Sequence, residues 1–134
     1  MAALSKFDVL TTLGPETRTA AAAAVTTYSG AAVDLSTYIN PGGRQLKAIL
    51  SVGSITSTGT LNVRIQESTT TAEAGFANLT TAAAFVATAS SASLTGSETL
   101  HFRTNNRYVR AMAELSNTGQ NQFSVYIVAE RKLV

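Results

Sequence analysis

Cysteine is absent from the 134-residue chain, so neither a disulfide nor a thiolate metal site can hold it together. Tryptophan is absent as well, and His101 is the single histidine, so a zinc site has no second soft ligand beside it. Charge is scarce: 13% of residues are charged, about half the roughly 25% of ordinary globular chains. Ten Lys+Arg stand against eight Asp+Glu, a formal net charge of +2. A nucleic-acid surface needs clustered cations to displace counterions from phosphate, and these cations are dispersed. No nucleic-acid partner is expected. No apolar run approaches the roughly 20 residues that span a bilayer, which predicts no membrane partner. The first residues, "MAALSKFDVLTTLG", lack the charged start and long apolar centre of a signal peptide, so synthesis in the cytoplasm is expected.

Groups that carry chemistry are equally sparse. Asp8 and Asp34 are the only aspartates, and the six glutamates are scattered. No spacing proposes a pair of carboxylates for acid–base work. No G-x-x-x-x-G-K phosphate loop occurs, no Asp-rich calcium loop, and "SVGS" is not a G-x-S-x-G nucleophile elbow. "NLT" at 78–80 fits the glycosylation sequon, but no secretion signal accompanies it. The expectation is a protein that is not an enzyme and holds no cofactor or metal.

What the chain has instead is Ala, Thr and Ser, roughly two-fifths of all residues and far above ordinary usage. Such a surface is neutral and hydroxyl-rich, and suits close contact between protein surfaces. The apolar residues alternate. In "LNVRIQES", Leu61, Val63 and Ile65 face one way and Asn62, Arg64 and Gln66 the other, the period of a half-buried strand. "RQLKAILSVGSI" reads as a mostly apolar strand, joined to "LNVRIQES" through a "TSTGT" hairpin turn. "NPGGR" and "SASLTGSE" read as loops, "AAFVATAS" as a weak strand, and "AAVDLSTYI" as a short strand and turn. "STTTAEAGFANLTTA" is a long polar loop anchored by Phe76 and Leu79. "TLHFR" is a strand with Leu100 and Phe102 inward and His101 at the surface. "RYVRAMAEL" and "QFSVYIVAERK" are expected to form a last hairpin across "SNTGQN". A further strand is expected over residues 18–28. About eight short strands at spacings of about 10 to 15 residues predict an all-β sandwich or barrel.

Two stretches carry the candidate contact residues. Residues 1–15 read as an N-terminal arm or short edge element before the Gly14–Pro15 punctuation, leaving residues 16–134 as a single sandwich domain. Phe7, Val9, Leu10 and Leu13 are its candidate anchors to a partner. In "NRYVRAMAEL", Val109, Ala111, Ala113 and Leu115 share the core face. Tyr108, Arg110, Met112 and Glu114 then share the outward face, with Arg107 at the start of the strand. Tyr, Met and Arg are enriched in interfaces, so Arg107, Tyr108 and Arg110 are the second set of candidate contacts.

The stretch from "VDLSTY" through "RQLKAILSVGSITSTGTLNVRIQES", followed by "NRYVRAMAELS" and "FSVYIVAERK", resembles a family of small tailed-bacteriophage virion proteins. The shared elements fall at Val33–Leu35, Tyr38, Leu46–Gly53, Leu61–Ser68 and Arg107–Arg110, and the likeness extends over residues 20–132. It implies a jelly-roll-like β-sandwich on the capsid exterior of the virion. There it would serve as a decoration, or cement, protein bound to the major capsid protein and to itself as a homotrimer. The "STTTAEAGFANLTTAAAF" loop departs from the pattern, being rich in Ala and Thr rather than Asp and Gly. The alternative expectation is a carbohydrate- or receptor-binding sandwich of a phage fibre or tail, with Tyr28, Tyr38, Tyr108 and Tyr126 as candidate platforms.

Overall fold

Alternating apolar residues give each strand one dry face, and two such sheets bury those faces against each other. The computed structural model describes residues 7–20, 25–38, 46–55, 60–79, 88–89, 96–116 and 119–131. Among them are ten strands. In the first half lie β1 (Phe7–Ala20), β2 (Thr26–Ser29), β3 (Val33–Asp34), β4 (Leu46–Ile55) and β5 (Thr60–Ser68). A single 3-10 turn, Glu73–Gly75, follows. The second half holds β6 (Ala77–Asn78), β7 (Thr88–Ala89), β8 (Gly96–Phe102), β9 (Tyr108–Leu115) and β10 (Gly119–Glu130). The "NPGGR" turn, residues 56–59 of the "TSTGT" turn, residues 1–6 and most of the "SASLTGSE" loop lie outside the described residues.

One sheet runs β1-β10-β4-β8, and the other runs β2-β9-β5-β6 with β3 also on β9 and β7 also on β5. The pairs are nested and antiparallel: β1 with β10, β2 and β3 with β9, β4 with β8, β5 with β6 and β7. A chain folded back on itself about residues 69–76 and then rolled up gives this order. It is the jelly roll, an all-β sandwich as expected, with eight strand positions once β2/β3 and β6/β7 each count as one.

The rolled path corrects both expected hairpins. β4 and β5 lie in opposite sheets, as do β9 and β10, so each connection crosses the sandwich. The alternation is the same either way, because Leu115 and Phe123 are buried whether their strands pair or face each other. The expected strand over residues 18–28 is also two elements, the end of β1 and β2, in different sheets.

The core fills from both sheets: Leu46, Ala48, Leu50, Phe123, Val125 and Ile127 from one, Leu61, Val63, Ile65, Val109 and Leu115 from the other. The predicted facing of β5 and of the apolar set of β9 holds.

The described part of the expected arm, residues 7–15, is not a separate element. Residues 7–15 belong to β1, which continues through Gly14 and Pro15 to Ala20, so the boundary at residue 15 falls inside a strand. Pro15 is tolerated because β1 is an edge strand whose register against β10 slips between Thr11 and Leu13 and again between Leu13 and Glu16. The slips turn Leu13 into the core and let Thr12 reach the other sheet. Thr12 Oγ1 accepts from Ala111 N at 2.9 Å and donates to Ala31 O at 2.9 Å. Its carbonyl accepts from Ala31 N at 2.8 Å. Gly30 must lack a side chain here: a Cβ would meet Thr12 Oγ1 and stand 2.7 Å from the Thr12 carbonyl oxygen.

Candidate functional site

Rows of outward side chains run across the β1 sheet. Pairing register places Val9 beside Val128, Val128 beside Lys47, and Lys47 beside His101. The next row is Thr11, Tyr126, Ile49 and Thr99. Phe7 and Val9 on β1 are 62% and 64% exposed, and half-buried Val128, Tyr126 and Ile49 continue the apolar stripe inward. Contiguous exposed apolar patches, unlike single exposed apolar residues, mark interaction surfaces. Of the four predicted anchors, Phe7 and Val9 lie open at the surface. Leu10 is half-buried against the core and Leu13 is buried within it, so these two hold β1 to its own sandwich.

The outer face of the other sheet is covered at Arg110 and Gln66. Arg110, expected to face solvent, is 5% exposed. It points outward as the alternation predicts, but the segment 69–79 folds over it. Arg110 Nε donates to Gln66 Oε1 at 2.9 Å, and its two Nη atoms donate to the Glu73 carboxylate at 2.5 and 2.8 Å. The guanidinium carbon lies 4.1 Å from the centre of the Phe76 ring. Gln66 in turn donates to Asn78 Oδ1 at 3.2 Å, and buried Leu79 anchors the end of the segment, as its place in the sequence predicts. The hydrogen bonds from Arg110 hold the Glu73 carboxyl below the usual carboxylate range. Arg110 is thus the latch of a loop, not a contact residue.

Arg107 and Tyr108 remain at the rim. Arg107 forks onto Asp34 with Nε–Oδ1 at 3.0 Å and Nη2–Oδ2 at 2.8 Å, and its guanidinium carbon lies 5.1 Å from the Tyr108 ring centre. This fork, with the Ser36 N–H, holds the Asp34 carboxyl well below the usual carboxylate range. Nearby, Asp8 accepts from Tyr38 Oη at 3.0 Å and from Arg131 Nη2 at 2.5 Å. Burial, then the Asp8 hydrogen bond, raises the Tyr38 hydroxyl above its ordinary value. The Arg64–Glu114 pair at 3.4 Å neutralises another stretch of the β9 sheet. Charges on the described surface are spent largely on one another, which leaves little field to steer a charged ligand.

One buried cation carries no signal in the sequence. Arg18 is 7% exposed, donates to the Phe123 carbonyl at 3.0 Å and the Gly14 carbonyl at 3.0 Å, and lies 4.8 Å from the Phe123 ring centre. It straps the Gly14–Pro15 irregularity of β1 to β10. A lone Arg in an Ala/Thr-rich segment announces none of this, because its partners, the carbonyl and ring of Phe123, lie far away in the sequence.

The candidate sugar platforms are engaged elsewhere. Tyr28 Oη donates to the Thr19 carbonyl at 2.7 Å, Tyr38 is buried, and Tyr108 lies beside Arg107. Tyr126 is half-buried within the apolar stripe. Among the described residues no three His, Asp or Glu side chains converge on a metal position, and no helix is long and apolar enough to cross a membrane. No protein-family model matches the chain, no curated protein matches it, and no solved structure matches it.

Proposed function

We propose that the protein is a capsid decoration protein of a tailed bacteriophage, acting by binding rather than by catalysis. It sits on the capsid exterior and clamps neighbouring major capsid subunits in the expanded head. The observation that carries this reading is the stripe headed by Phe7 and Val9, two large apolar side chains left more than 60% exposed on a well-paired strand. The jelly-roll path and the self-neutralised charges agree with the family resemblance. Each apolar side chain buried on docking contributes about 1.5–3 kcal/mol before ordering costs. Because β1 is already ordered by pairing with β10, the roughly 1–2 kcal/mol per residue needed to fix a flexible arm does not arise. Repetition over the shell multiplies modest contacts through avidity. The resemblance further implies that copies associate as homotrimers.

The test is cosedimentation of the full chain with expanded and unexpanded heads assembled from the cognate major capsid protein. Binding to expanded heads alone is expected. Phe7→Asp, which leaves the core untouched, should weaken that binding at least about tenfold, roughly 1.4 kcal/mol. Equal binding to both head forms, or none to either, overturns the reading.

A further inference from the structure

An edge strand carries unpaired backbone N–H and C=O groups along its free side, and proteins blunt such edges with prolines, bulges and charges. β1 is an edge strand that is blunted in its second half only. From Thr12 onward it carries both register slips and Pro15, and the Thr12 carbonyl is already taken by Ala31 N at 2.8 Å. Residues 7–11 carry neither a proline nor a register slip. They pair in unbroken register with β10, from Phe7 opposite Glu130 to Thr11 opposite Tyr126, and among the described strands no other joins them. The one charge in the run, Asp8, is engaged by Arg131 and Tyr38.

We infer that the Phe7–Thr11 edge pairs antiparallel with the same segment of a second copy, merging the two β1 sheets into one continuous sheet. The run is self-complementary about its centre. With Val9 on the two-fold axis, Val9 meets Val9 of the second copy, Phe7 meets Thr11, and Asp8 meets Leu10. No like charges are opposed, and the Val9–Val128 row runs unbroken from one copy into the next. Backbone hydrogen bonds supply the attraction and the outward apolar side chains set the register. Five residues are a small part of the roughly 20–30 a side of a standard interface, so the pair is weak in solution and concentration-dependent. Being isologous, it joins two copies and cannot close a ring of three, so in a trimeric assembly it links one trimer to the next. The edge lies in the plane of the sheet and the Phe7–Val9 side chains stand perpendicular to it, so a copy can sit on a shell and pair with its neighbour at once. The inference does not depend on the shell.

The absence of cysteine makes the test direct. Directly opposed residues of an antiparallel pair have Cα atoms about 4.5–5.5 Å apart, within the range a disulfide spans. Val9→Cys, at an exposed position, should form intermolecular disulfides at about millimolar protein at least about tenfold faster than Thr17→Cys, exposed on the same strand. Sedimentation equilibrium of the unmodified chain should show a monomer–dimer equilibrium superimposed on any larger assembly, and Val9→Lys should abolish it while Val25→Lys, equally exposed elsewhere, should not. Equal cross-linking of the two cysteine variants overturns the inference, as does insensitivity of association to Val9→Lys. If Val9→Cys cross-links selectively but the chain binds no heads, the pairing stands and the decoration reading falls. Head binding without selective cross-linking overturns the pairing and leaves the decoration reading in place.

Discussion

Two arginines three residues apart show how far side-chain direction alone misleads. Arg107 and Arg110 flank the same strand start, yet one is an exposed rim fork on Asp34 and the other is buried beneath Phe76 and Glu73. Exposed pairs contribute little, whereas a buried, charge-assisted hydrogen-bond set is worth more. Arg110→Ala should cost about 1.5–3 kcal/mol in urea unfolding and loosen residues 69–79 in hydrogen exchange. Arg107→Ala should shift the midpoint much less; equal losses would mean that the loop latch is not formed. The same carboxylates set the acid response. Asp34 and Glu73 ionise at lower pH in the folded chain than in the unfolded one, so the unfolded chain binds more protons as the solution is acidified. Their contribution is complete above the unfolded values of about 3.9 and 4.3 and is lost as pH falls through the folded ones. Asp34→Asn should therefore flatten the fall in stability between about pH 5 and pH 2, and an unchanged slope would remove this fork from the acid response.

Among the elements, β1 is where local chemistry and tertiary fit meet. Gly14 and Pro15 look like the end of an arm, but on an edge strand they mark bulges through which the strand continues. Those bulges bring Thr12 against Gly30 and Ala111, stitching the two sheets together at one side. Gly30→Ala should destabilise by about 1–3 kcal/mol, because its Cβ meets backbone oxygens of Thr12 and Ala111 at 2.7 and 3.0 Å that cannot swing aside. A thermal melt unchanged by this substitution would mean that β1 is not held against β2 and β9. The strands themselves are legible from period-two alternation, and Leu61, Val63 and Ile65 are buried as that alternation predicts. Their partners are not legible. A connection between two alternating strands can close a hairpin or cross the sandwich with the same residues buried, and only competition among all strands for edges decides.

For the molecule as a unit, nesting means that the first strand closes on the last. β1 supplies buried Leu13, the Thr12 link and the Asp8 anchor for Tyr38 and Arg131, so it is part of the sandwich and not an appendage. Deleting residues 1–15 should abolish the cooperative thermal transition or lower its midpoint sharply, since it uncovers β10 and opens the core. A truncated chain that melts like the full one would restore the arm. Local pattern was enough to establish the all-β class, the inward faces of β5, β8 and β9, the anchoring role of Leu79 and the low charge of the surface. Alternation and composition are properties of neighbouring residues, and burial follows from them wherever the strands end up. It took the packed fold to send β4 and β9 to sheets opposite their chain neighbours, to lay Arg110 under a loop and Arg18 behind a bulge, and to leave Phe7 and Val9 open while Leu13 is not. Those outcomes depend on contacts between residues as far apart as Phe7 and Glu130, whose pairing no local pattern encodes.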